Sequence, residues 1–247
     1  MNKSNVPAKR NTKTTSEAGS ALDLIRNAKP KSALVSVDKP NYLSAATEAR
    51  RPRIVFGIDA TSSRQATWND AKKITDVMFT ALPGEVDIAL AVHSAGTVSK
   101  FTDFSSDVSR FRHEARSVSC EPGHTKLCNL MQQTLEKTGV KVFVYVGDAF
   151  EESDAAAYAL ADKCKTRGIR AIMLHDESSQ KDQSTRVVFE EIARRTGGVC
   201  ADFCSGDLSG MKDILQAVVV LAAGGIKLLE QKRAQLPGAA KLLPYLK

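Results

Sequence analysis

Lys141-Val142-Phe143-Val144-Tyr145-Val146 constrains this chain more than any other stretch. As a strand it is apolar on both faces, because successive side chains point to opposite sides of a sheet. Such a run suits a central parallel strand covered by helices above and below. Gly147-Asp148 follows at once and places a carboxylate at the strand's C-terminal end. A second buried-type strand, from Arg53 to Ile58, ends the same way on Asp59.

Strand and helix patterns alternate around these two. Positions 65–82 have helical spacing, with Ala66, Ile74, Val77, Met78 and Ala81 on one face, and Pro83-Gly84 stops the pattern. Positions 86–92 read as a strand, and Ala95-Gly96 turns it back into 97–101, an antiparallel hairpin. Helices are expected over 107–118, 126–137, 153–167, 182–196 and 208–223, and further strands over 170–174 and 199–203. This order predicts an α/β fold: a three-layer α/β/α sandwich, its central sheet mostly parallel with one antiparallel edge hairpin strand. Ligands of such folds bind beyond the carboxyl ends of the strands, which is where Asp59 and Asp148 fall. The expected organisation is a tail over 1–52, a domain over 53–223 and a helical, Leu-rich C-terminal extension over 224–247 that packs on the domain.

The net charge of +7 would suggest a nucleic acid or an anionic membrane if it were spread over the body. It is not. Residues 1–53 carry eleven basic and four acidic residues, and the remainder is balanced. The basicity belongs to a tail poor in aromatics, with a disordered composition. It lacks the interleaved aromatic residues of a base-stacking surface, so nucleic acid is not an expected partner except through that tail. No apolar stretch has the length of a secretory leader core or of a membrane span, and a cytoplasmic protein is expected. Cys120, Cys128, Cys164, Cys200 and Cys204 have no zinc-type spacing and read as free, buried or half-buried thiols.

The chemistry is concentrated after the first strand. Asp59, Thr61 and Ser63 recur at every second position, so extended backbone aims all three the same way. Their oxygens are hard donors of the kind Mg2+ or Mn2+ takes. Read alone the motif is weak, since Asp, Ser and Thr also serve as ordinary caps and turn residues. Thr125, at a helix start after Pro122-Gly123-His124, and Asp148 add two further oxygen donors. His124, Trp68 and Phe150 lie near these in sequence; Glu151 and Glu152 suit the start of a helix. His93 and His175 stand at strand ends with no evident partner.

The set Asp59, Thr61, Ser63, Thr125 and Asp148 resembles the metal-ion-dependent adhesion site (MIDAS) of the von Willebrand factor type A (VWA) domain, over about residues 53–223. The loop before Thr125 departs from the Gly-rich form common in that family. The resemblance implies a Rossmann-like VWA fold, these five residues around Mg2+ or Mn2+, and a non-enzymatic protein-binding module. Its ion would bridge to an Asp or Glu carboxylate of a partner protein. It also implies a stand-alone bacterial-type protein in a cytoplasmic multiprotein, stress-response or chaperone-like assembly. The rival reading is a haloacid-dehalogenase-like Mg2+-dependent phosphatase with Asp59 as nucleophile. That chemistry wants a second acid where Thr61 stands, and a Thr hydroxyl is no acid at neutral pH.

Overall fold

The apolar runs assemble into one sheet of six strands in the computed structural model, which describes residues 51–65, 68, 69, 78, 81, 84–177, 183–203 and 208–246. The strands are β1 (Arg53–Asp59), β2 (Asp87–Ser94), β3 (Thr97–Phe101), β4 (Val140–Gly147), β5 (Arg170–Asp176) and β6 (Val199–Phe203). Their order across the sheet is β3-β2-β1-β4-β5-β6. Every pairing is parallel except β2 with β3. That hairpin closes on Ala95 and Gly96, both with positive φ (50° and 70°), the geometry a two-residue turn between twisted strands requires.

Alternation sorts the two central strands into two cores. Ile54, Phe56 and Ile58 with Val142, Val144 and Val146 pack on one face. Val55 with Phe143 and Tyr145 packs on the other. Each large apolar side chain so buried contributes roughly 1.5–3 kcal/mol. Helices cover both faces: α1 (Val108–Arg116), α2 (Leu127–Glu136), α3 (Asp154–Thr166), α4 (Gln183–Thr196), α5 (Leu208–Gln231) and α6 (Pro237–Leu242). The expected three-layer α/β/α arrangement, mostly parallel with one antiparallel edge pair, is what the chain adopts. Asp107 caps α1 by accepting from the Ser109 and Arg110 backbone N–H groups, and Ser153 caps α3 through Ala156.

One boundary differs from expectation at the C-terminal end. The helix expected to stop at 223 kinks at Gly225 (φ 67°) and resumes to Gln231. Pro237 begins α6, since the first helical position needs no N–H donor. Leu229, Ala239, Leu242 and Leu246 then enter the same core as α5 and the strands. Most of the helix expected over 65–82 lies outside the described residues, although Gln65, Trp68, Asn69, Met78 and Ala81 are helical. The tail over 1–50 and Cys204 lie outside them as well.

The sheet order fixes where a ligand can sit. From β1 the chain moves to β2 on one side and later to β4 on the other. The crevice beyond the C-terminal ends of β1 and β4 is therefore the topological switch point of the sheet.

Candidate functional site

Asp59 ends β1, and Asp148 follows Gly147 at the end of β4. Register brings them together, because Ile58 pairs with Val146. Asp59 is 1% exposed and Asp148 7% exposed. One carboxylate oxygen of each, Asp59 Oδ2 and Asp148 Oδ1, is buried without a hydrogen-bond partner. Asp59 Oδ1 accepts from the Thr61 backbone N–H at 2.9 Å. Burial above all pushes the Asp59 carboxyl up to about 6, and the charge of Asp148 adds to the rise. Thr61 hydrogen bonds and the Arg64 guanidinium oppose that shift.

Thr125 reaches the same edge through a set of backbone ties. Ala60 O accepts from the Glu121 N–H at 3.0 Å. Gly123 then passes against the β2–β3 turn, so closely that a Cβ there would lie 2.3 Å from the Gly96 nitrogen. Thr125 N–H donates to Glu151 Oε2 at 3.0 Å, and Glu151 N–H donates to Thr125 Oγ1 at 2.9 Å. This reciprocal pair couples the Thr125 loop to the Asp148 loop. Thr125 is 1% exposed, and its hydroxyl oxygen retains a further lone pair. Thr61 is buried on the Asp59 loop, and Ser63 lies in the 3-10 turn Ser62–Arg64. The Ser63 side chain lies outside the described residues.

Glu151 and Glu152 do not open α3, whose cap is Ser153. Glu152 instead accepts from the Cys128 N–H in the first turn of α2 at 3.2 Å, where a negative charge faces the positive end of that helix. His124 lies 3.3 Å from Glu151 Oε2 at the surface. Trp68 sits in the core cluster that covers one face of the sheet, and Phe150 packs at the edge of the other.

Two buried pairs at this edge, His93 with Tyr145 and Arg64 with Asp176, escape a reading of the sequence. His93 pairs in register with Asp59 across β1 and β2. Its Nε2 lies 2.8 Å from the Tyr145 hydroxyl, and its Nδ1 is 3.9 Å from Asp59 Oδ1. Burial holds the imidazole down at about 4, so the ring is neutral at neutral pH. The carboxylate favours the tautomer with the proton on Nδ1, leaving Nε2 to accept from the tyrosine hydroxyl. Arg64, 2% exposed, ion-pairs through Nη1 with Asp176 Oδ2 at the end of β5, and its Nε lies 3.8 Å from Asp148 Oδ1. One guanidinium thus spans the ends of β1, β4 and β5. The short hydroxyl-rich motif signals the Asp59 loop, but an Arg one residue beyond it reads as an ordinary surface cation.

The donor set has the oxygen chemistry that a hard divalent ion takes. Two buried carboxylate oxygens lack donors, which is the deficit such a cation fills. Among the described residues, no three His, Cys, Asp or Glu side chains gather as a metal cluster, so binding would depend on the hydroxyls. A cavity of about 970 Å³ bounded by Arg186, Cys200, Lys241 and Tyr245 lies along β6 and includes none of these site residues.

No family model matches the sequence, and no curated protein matches it. Solved structures do. A von Willebrand factor type A protein from Catenulispora acidiphila superposes with a TM-score of 0.57 at 14% identity, covering 70% of this chain and 43% of that one. The vWF domain of the type V pili tip protein Mfa5 from Porphyromonas gingivalis gives 0.56 at 11% identity, covering 70% of this chain and 96% of that one. Proximal thread matrix protein 1 from the mussel byssus, with a zinc-occupied MIDAS motif, gives 0.55 at 14% identity, covering 68% and 46%. The chain spans less than half the length of the first and third of these. At such identities the likeness is one of fold, and the fold is that of the von Willebrand factor type A domain.

Proposed function

We propose that this chain is a non-enzymatic protein-binding module. In this reading Asp59, Thr61, Ser63, Thr125 and Asp148 hold Mg2+ or Mn2+, and an Asp or Glu carboxylate of a partner protein completes the ion's shell. The observation that carries the reading is the pair of buried, donorless carboxylate oxygens on adjacent strand ends at the switch point. The zinc-occupied MIDAS motif in a neighbour of the same fold supports a divalent ion. A pilus-tip neighbour supports a binding role. The ion would supply a positive charge that neutral hydroxyls leave available to an incoming acid. The chain's own residues have separate tasks. Thr61 N–H orients Asp59, and the Glu151–Thr125 exchange fixes the distance between two loops. By analogy with stand-alone bacterial proteins of this fold, the module would serve a cytoplasmic multiprotein assembly of stress-response or chaperone-like type.

Thermal unfolding of the intact chain with and without millimolar Mg2+ or Mn2+ tests the ion. An ion at a hundredfold excess over its Kd stabilises by about 2.7 kcal/mol, which is roughly 5–10 °C for a chain of this size. Asp59→Ala is expected to abolish that response. A parent protein that does not respond sinks the metal bridge. Affinity capture repeated with chelator and with Asp59→Ala would identify partners that depend on the ion. Mg2+-dependent phosphate release from an aryl phosphate, lost in Asp59→Ala, would favour the phosphatase reading instead.

A further inference from the structure

We infer that Arg64 is a built-in counter-cation of this site, whose guanidinium competes with a divalent ion for Asp148. The inference rests on the metal-bridge reading and adds a residue that sets the ion's affinity. Arg64 and Asp176 are 2% and 1% exposed, and their ion pair anchors the guanidinium at the end of β5. Toward Asp148 the contact stays open. The 3.8 Å between Arg64 Nε and Asp148 Oδ1 exceeds hydrogen-bond distance, and both atoms are buried with no other hydrogen-bond partner.

An unclosed pair of opposite charges is costly to bury. It is intelligible if Asp148 Oδ1 has two alternative cationic partners. Charge points the same way. Asp59, Asp148 and Asp176, when all ionised, oppose one guanidinium and leave an excess of two negative charges, which one divalent ion balances. The Asp176 anchor means that Arg64 need not leave the site when an ion enters. It only cedes Asp148, while its positive charge continues to repel the ion.

Removing that charge should therefore tighten metal binding. The test is a Mn2+ titration of the full chain, followed by loss of the free-ion electron paramagnetic resonance signal, with circular dichroism to verify folding. Arg64→Gln is expected to lower the Kd on the order of tenfold. Arg64→Lys, which keeps the charge, is expected to stay within about threefold of the parent. A folded Arg64→Gln that binds Mn2+ no tighter than a binding parent overturns the inference and leaves the metal bridge standing. Binding by Arg64→Gln but not by the parent supports the inference and removes the metal bridge from the native protein. If neither protein binds, both fall.

Should Arg64→Gln fail to fold, the parent alone decides the matter. The Arg64 Nε–Hε resonance, assigned by its loss in Arg64→Lys, is expected to move saturably with Mg2+ as Asp148 is ceded. A resonance that stays fixed while Mg2+ raises the melting temperature overturns the inference.

Discussion

Beside Asp59 lies a buried hydrogen-bonded pair, His93 and Tyr145. The tyrosine is fully buried, stacks on His93 with ring centroids 5.9 Å apart, and offers its hydroxyl to His93 Nε2. Tyr145→Phe would keep the packing and strand a polar nitrogen in the core. A buried group left without its partner costs roughly 1–3 kcal/mol, so the urea midpoint should fall by a corresponding amount. An unchanged midpoint would show that the imidazole finds another partner. At this scale the sequence was half legible. Asp59, Thr61, Thr125 and Asp148 carry a spacing and a chemistry that can be read in one dimension. Arg64 and His93 do not, because their significance lies in partners distant in the chain: Asp176 is 112 positions from Arg64. Nothing local marks either residue as buried.

Helices α3 and α4 show how charge fixes neighbouring elements beneath the site. On α4, Glu191 accepts from Arg194 and Arg195 at 2.7 Å, and Arg195 reaches across to Asp162 of α3 at 2.8 Å. These hydrogen bonds from Arg194 and Arg195 pull the Glu191 carboxyl down to about 2. Its ordinary value in the unfolded chain is higher, near 4.5. The network therefore contributes in full above pH 4.5, and the contribution is lost as pH falls from there toward 2. Glu191→Gln should lower the urea midpoint slightly at pH 7, with the gap to the parent closing as pH falls below 4.5. A gap that widens in acid would contradict the assignment. High salt should also shrink it, since the pair is at the surface. The element boundaries themselves were readable wherever a cap or stop was encoded, as with Asp107 and Ser153. They were misread where glycine allowed two outcomes. Gly224-Gly225 reads as a terminator, yet the burial of Leu229 carries the helix through a kink. Likewise Glu151 and Glu152 read as helix starters by adjacency, while the fold gives their carboxylates to the N–H groups of Thr125 and Cys128.

Across the whole molecule, the alternating pattern foretold parallel strands between helices and the β2–β3 hairpin. It could not order the strands, because order depends on which crossovers pack, and the central place of β1 creates the crevice. The C-terminal residues raise the same question of which parts of the chain the domain needs. Leu229 and Leu242 are fully buried and Leu246 is 8% exposed, all in the core that also holds Val142, Val144 and α5. Three leucines at roughly 1.5–3 kcal/mol each amount to about 5 kcal/mol or more. That is comparable to the whole stability of an ordinary domain, about 5–15 kcal/mol. Deleting 226–247 should therefore abolish cooperative thermal unfolding, or lower its midpoint by more than about 10 °C. The loss should include the response to Mg2+, because α5 supports the same faces of β1 and β4 whose ends carry Asp59 and Asp148. Deleting 1–50, a segment that holds most of the chain's excess positive charge, should leave both the midpoint and the Mg2+ response within error of the parent. If instead the C-terminal deletion unfolds like the parent, the core of this fold closes without α6. If the N-terminal deletion fails to fold, the domain begins earlier than Arg53.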